Sequence, residues 1–140
     1  MKNKMVTTSI TIILAILLIG AIAIIIIKMD HKSGTKDPSI EEVVKNSVDV
    51  PEITTNMKND HFIKIALKIE TNNKKAKEEL EKRDFQVKDT VIEELSELAV
   101  EDLKGRNGKE KFKNALKHKI DSYLQNGKVL KIYITSYAIQ

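Results

Sequence analysis

The hydrophobic positions change their rhythm along the chain. Residues 5–27, MVTTSITIILAILLIGAIAIIII, contain no charged side chain. As a helix this run extends about 34 Å at 1.5 Å per residue, enough to cross a hydrocarbon core about 30 Å thick with some tilt. From residue 30 to residue 50 the chain turns polar, DHKSGTKDPSIEEVVKNSVDV. Beyond it the period becomes two: in HFIKIALKIE, Ile63, Ile65, Leu67 and Ile69 alternate with Lys64, Ala66, Lys68 and Glu70, the signature of a strand with one buried face. Then the helical period takes over, and the final run, VLKIYITSYAIQ, reads again as a strand.

These rhythms predict an α+β chain. The expected organisation is a short tail at 1–4, a transmembrane helix at 5–27, a linker at 28–50 and a folded domain at 51–140. That domain should hold a mainly antiparallel sheet packed by two to three helices. Pro51 opens the expected first strand, PEITTNM, and Lys58-Asn59-Asp60 turns it into the second to make a hairpin. A short charged helix, NKKAKEELEKR, follows. Asp84 then caps a helix whose stripe is Val91, Ile92, Leu95, Leu98, Ala99 and Leu103. Gly105 to Gly108 breaks it from a basic helix with Phe112, Ala115, Leu116, Ile120, Tyr123 and Leu124 on one face. Asn126-Gly127 should stop that helix, glycine accepting the left-handed conformation. In the last strand Leu130, Ile132 and Ile134 form one face, expected beneath the helices beside the 60–70 strand. Val129, Tyr133, Tyr137 and Ile139 dominate the other, which points to a central strand or to a face set against a neighbour.

The apolar N-terminal run is open to two interpretations. Ala21-Ile22-Ala23 resembles the cleavage site of a signal peptide, but four isoleucines follow it, as suits an uncleaved anchor. Ten isoleucines and three leucines favour insertion by about 4 to 8 kcal/mol. Lysines flank the run on both sides, so charge leaves its orientation open. In the linker, Ser39 and Glu42 form a capping box for a short helix carrying Ile40, Val43, Val44 and Val48 on one face. That segment is either a plain linker or an amphipathic helix that meets a partner's helix.

Charge and composition narrow the chemistry. The formal charge is +4 and is spread along the chain, and aromatics make up only 4%, so neither a basic patch nor a stacking platform for nucleic acid is evident. No cysteine is present, which removes disulfides, thiolate metal sites and a thiol nucleophile. His31, His61 and His118 match no metal spacing, and the Gly105–Gly108 stretch lacks the lysine-serine/threonine pair of a phosphate loop. The expectation is a chain without catalytic residues, cofactor or metal. One long helix is acidic, with Glu93 and Glu97 among its carboxylates. The next is basic, with Lys113 and Lys117. The two faces either pair within the chain or match acidic to basic between copies. Tyr133 and Tyr137 face either solvent or another subunit.

Segment order and spacing resemble the family of flagellar basal-body-associated FliL proteins. EEVVKNSVDVPEITTNM with FIKIALKIE is similar to that family's opening strands. RDFQVKDTVIEELSELAVEDLKGRNGKEKFKNALKHKIDSYLQNG is similar to its arginine–aspartate helix, glycine turn and basic helix, and KVLKIYITSYAIQ to its aromatic-rich closing strand. The chain departs from the common pattern at Phe85 (often proline), Ile134 (often phenylalanine) and Ser136 (often acidic). The resemblance implies an inner-membrane protein with a cytoplasmic N-terminus and an extracytoplasmic domain like the ring-forming scaffolds of stomatins and prohibitins. It implies partners in the bilayer, the flagellar stator units, the basal body and further copies of the chain, in support of torque, motility or swarming. Ile40, Val43, Val44 and Val48 would then contact a partner, and Tyr133, Tyr137, Glu93, Glu97, Lys113 and Lys117 would serve self-association. The alternative is a generic membrane-anchored module that binds a ligand or protein through a concave pocket, without a motor role.

Overall fold

A computed structural model describes residues 2–30 and 38–140, and the chain divides into two units, Met1–Asp37 and Pro38–Gln140. The first unit holds helix α1, Lys2–Asp30. Its stretch Thr8–Ile25 is long and apolar enough to cross a membrane, and none of it is buried in the protein. A helix apolar on all sides matches lipid as its surroundings.

The second unit runs α2 (Ile40–Lys45), β1 (Ser47–Asn56), β2 (Phe62–Thr71), α3 (Lys74–Lys82), α4 (Asp84–Ser96), α5 (Gly105–Asp121) and β3 (Val129–Ile139), with short 3-10 turns at Lys58–Asp60 and Val100–Leu103. The strands form one antiparallel sheet in the order β1-β2-β3. Strand β2 is central. Ile63, Ile65, Leu67 and Ile69 are each at most 1% exposed on its inner face, and each such side chain contributes about 1.5–3 kcal/mol by leaving water. Helices α3, α4 and α5 supply Leu80, Val87, Val91, Leu95, Phe112, Leu116 and Ile120 to the same core.

Both edge strands bulge. On β1, Val50 pairs with Leu67 and Ile53 with Ile65, so Pro51 and Glu52 together oppose Ala66. Proline has no N–H for a ladder, which suits it to this irregular edge position. It therefore lies inside β1, which starts at Ser47, and does not open the strand. On β3, Leu130 and Thr135 are the additional residues: Glu70 pairs with Lys131 but Thr71 with Val129, and Leu67 pairs with Ile134 but Ala66 with Ser136. Each bulge reverses the parity of the inner face. The residues paired with the buried side of β2 are thus Val129, Ile132, Ile134, Tyr137 and Ile139. This corrects the even-numbered face expected from alternation: Leu130 is 39% exposed and Val129 is fully buried. It also explains why the run is apolar at both parities in an edge strand.

The helices differ from expectation at their ends. Asp84 is the first residue of α4 and forms no side-chain cap; its carboxylate pairs with Lys88 at 2.8 Å. Helix α4 stops at Ser96, whose hydroxyl donates to Ile92 O at 2.6 Å. Leu98 and Leu103 still pack on the core, but from the turns beyond the helix. Gly105 to Gly108 opens α5 and is not a separator between helices. A Cβ on Gly108 would lie 2.2 Å from Asp102 O, so only glycine lets α5 begin against the preceding turn. At its other end α5 stops at Asp121, before Asn126. Gly127 is a close-packing residue and not the stop: a Cβ there would lie 2.4 Å from Asn72 Oδ1 and 2.8 Å from the Ala76 Cβ.

Candidate interaction surfaces

Helix α2 is fixed at both ends. Ser39 Oγ accepts the Glu42 N–H at 3.3 Å, a side-chain cap of the first turn. Behind it, Asn46 O accepts both the Thr71 N–H at 3.0 Å and the Thr71 hydroxyl at 2.7 Å, and the Ser47 hydroxyl donates to Val43 O at 2.6 Å. With its end tied to β2, the helix leaves Ile40 68% and Val44 56% exposed, while Val43 is half-buried. Val48 does not join them. It lies in β1, pairs with Ile69 and packs against the core, because the helix has ended at Lys45. The apolar surface of α2 is therefore the pair Ile40 and Val44, one helical turn apart.

The acidic and basic helices meet through Glu94 and Lys119, whose side chains pair across α4 and α5. Glu97 pairs with Lys58 at 3.5 Å, Lys113 with Glu110 at 2.6 Å, and the Lys117 ammonium donates to Leu130 O at 3.1 Å. Glu93 is exposed. One pair, Glu94–Lys119, thus joins the two helices directly, while Glu97 and Lys113 pair elsewhere in the chain. The two tyrosines of β3 lie on opposite faces of the sheet, because the Thr135 bulge separates them. Tyr137 pairs with Ile65 on the helix side, with Lys109 Nζ 4.4 Å from its ring centroid. Tyr133 pairs with Lys68, and its hydroxyl donates to Glu70 Oε2 at 2.7 Å. That hydrogen bond, assisted by burial and the Glu70 charge, pushes the phenol up to about 12.

Two features were not anticipated from sequence. The Glu79 carboxylate binds the Arg83 guanidinium at 3.1 Å and accepts the Gln125 and Asn126 N–H groups at 3.1 and 3.3 Å. A glutamate in a run of charged helical residues gives no sign of such a long-range role. The second is a groove of about 200 Å³ between β1 and helices α3 and α4, with Asp84 and Lys88 on its rim. Its outline depends on the β1 bulge, which alternation does not reveal. Of the histidines, His61 Nδ1 lies 3.3 Å from Gln140 O, His118 is exposed and His31 lies outside the described residues. Among the described residues, no group of three or more His, Asp or Glu side chains is placed to hold a metal.

The sequence profile described as "Flagellar basal body-associated protein FliL" matches residues 47–140, from the first residue of β1 through β3. The chain belongs to the FliL family. It is 52% identical over 122 residues to a flagellar protein FliL of Bacillus subtilis (strain 168), a similarity that covers 87% of each chain. It is also 26% identical over 79 residues to a flagellar protein FliL of Aquifex aeolicus (strain VF5), covering 56% of this chain and 49% of that one. The first alignment is longer than the profile match, so it takes in part of the segment before β1. Membership places the chain among flagellar, basal-body-associated proteins, and α1 is consistent with attachment to a membrane.

Proposed function

We propose that this FliL-family chain is a non-enzymatic, single-pass membrane protein of the flagellar basal body, associated with the stator units that drive rotation. In this reading α1 is an uncleaved anchor in the cytoplasmic membrane with a cytoplasmic N-terminus. The 38–140 unit stands outside the cytoplasm, assembles with further copies into a scaffold and supports torque, swimming or swarming. The carrying observation is the profile match from β1 through β3, residues 47–140. The exposed pair Ile40 and Val44, in the first element after α1, offers an apolar contact.

Deleting the gene should reduce swarming or motor output under load, and a fluorescent fusion should form foci that coincide with basal bodies. Normal motility together with diffuse membrane fluorescence would overturn the proposal. Orientation can be tested separately, because the chain lacks cysteine: Phe62→Cys, at an exposed position, should react with a membrane-impermeant maleimide in intact cells.

A further inference from the structure

The 38–140 unit carries both an apolar groove beside β1 and an exposed apolar pair on α2. The floor of the groove is apolar, built from Val48, Val50, Ile69, Leu80 and Val87. Its rim carries Asp49, which pairs with Lys68, and, one helical turn apart on α4, Asp84 and Lys88, whose mutual 2.8 Å pair a second helix with charges at the same spacing could join. Helix α2 presents Ile40 and Val44 with the same spacing, each followed by a charge, Glu41 and Lys45 respectively. We infer that α2 of one copy seats Ile40 and Val44 in the β1–α4 groove of a second copy, running antiparallel to α4.

Charge fixes that direction. Antiparallel, Glu41 meets Lys88 and Lys45 meets Asp84. Parallel, Glu41 would meet Asp84 and Lys45 would meet Lys88, and both contacts would be repulsive. Residues four apart on a helix lie about 6 Å apart along its axis, so the two ion pairs and the apolar pair share one spacing. A chain cannot make this contact with itself: the end of α2 is tied to Thr71 and passes straight into β1, and Ile40 and Val44 remain exposed. Pairing through the sheet edges is a poorer route for copies to meet. Pro51 and the β1 bulge interrupt one edge; the other carries two bulges, and Lys117 occupies the Leu130 carbonyl. Anchoring by α1 would confine copies to a plane and raise their effective concentration, so a small contact suffices.

The inference rests on the self-assembly proposed above, and the full-length chain in its own membranes can separate the two. Two tagged copies are co-expressed, one carrying Ile40→Cys and the other Pro51→Cys on the groove rim, and a short bismaleimide is added. The expected result is a mixed-tag dimer well above that from either single variant alone. Adding Lys88→Glu to the groove copy should lower the yield roughly fivefold, the upper range for an exposed ion pair. Adding Glu41→Lys to the other copy should restore it, an effect that simple structural damage would not produce. If cysteines elsewhere join copies but this pair does not, the inference fails and assembly stands. If no position joins copies, the assembly itself fails. Capture of the Ile40→Cys copy by a different protein or by lipid, in place of a second copy, would also overturn the inference.

Discussion

Glu79 joins three segments that are distant in sequence. Its carboxylate takes the Gln125 N–H, the Arg83 guanidinium and the Asn126 N–H, and these donors hold it below its ordinary 4.5. A carboxyl lowered by folding contributes stability above its unfolded pKa, and that contribution disappears as pH falls through the folded value. Glu79→Gln keeps the shape but loses the charge. Its unfolding midpoint should fall at neutral pH and converge with that of the parent as pH falls through the lowered folded-state value, as thermal melts across pH would show. Tyr133 behaves in the opposite sense. Its phenol is raised to about 12, so its contribution is complete below its ordinary value of 10 and is lost as pH rises through about 12. Absorbance titration should show one late-ionising tyrosine. Glu70→Gln should move it earlier and Tyr133→Phe should remove it. Thr90 adds a buried polar contact of the same kind: its hydroxyl donates to Gln86 O at 2.8 Å and is thereby left to accept from the Tyr123 hydroxyl, also at 2.8 Å.

Among the elements, the junction between α5 and the turn before it depends most on a single position. Gly108→Ala would set a methyl group 2.2 Å from the Asp102 carbonyl oxygen, where only the backbone can give way. The expected cost is about 2–3 kcal/mol, read from the midpoint of a denaturant titration. A change below 0.5 kcal/mol would mean that the two segments separate freely. The legibility of each element in sequence follows from its regularity. Strand β2 was plain, because four aliphatic residues alternate without interruption and the strand is buried on one face. So were α3, with Asn73 Oδ1 accepting the Ala76 N–H at 2.9 Å, and the buried stripe of α5. The inner face of β3 was not, because a bulge reverses parity without leaving a mark in a run that is already apolar at odd and even positions. The end of α4 was hidden because Leu98 and Leu103 continue the helical period from outside the helix. Val48 was misplaced for a related reason: a valine three or four residues beyond a helix end falls on the extrapolated stripe. The α2 surface was thus legible in part: Ile40 and Val44 are exposed on the helix as its pattern suggested, and Val48 is not part of it.

At the scale of the molecule, the chain comprises an apolar helix, long enough to cross a membrane, and a folded unit. Among the described residues of its apolar stretch α1 buries none, whereas the 38–140 unit has its own core. If α1 is an uncleaved anchor, the full 15.9 kDa chain should stay with membranes through alkaline carbonate extraction. Release of a shorter chain lacking residues 1–23 would show a cleaved signal instead. The family match begins at Ser47, so what defines the chain as a FliL protein is the sheet with its helices.

The strand order also determines how the folded unit carries a mechanical load. Strands β1 and β3 are each antiparallel to β2 and so run in the same direction. The start of β1, where the chain arrives from α1 and α2, and the end of β3 are therefore at opposite ends of the sheet. Tension between them acts along the strands and shears both ladders at once, sharing the force over many hydrogen bonds instead of peeling them one by one. Gln140 and Phe62 close the far end with a reciprocal pair of 2.9 Å backbone bonds. A sheet gripped in this way resists being drawn out lengthwise far better than the same number of bonds arranged as a zipper.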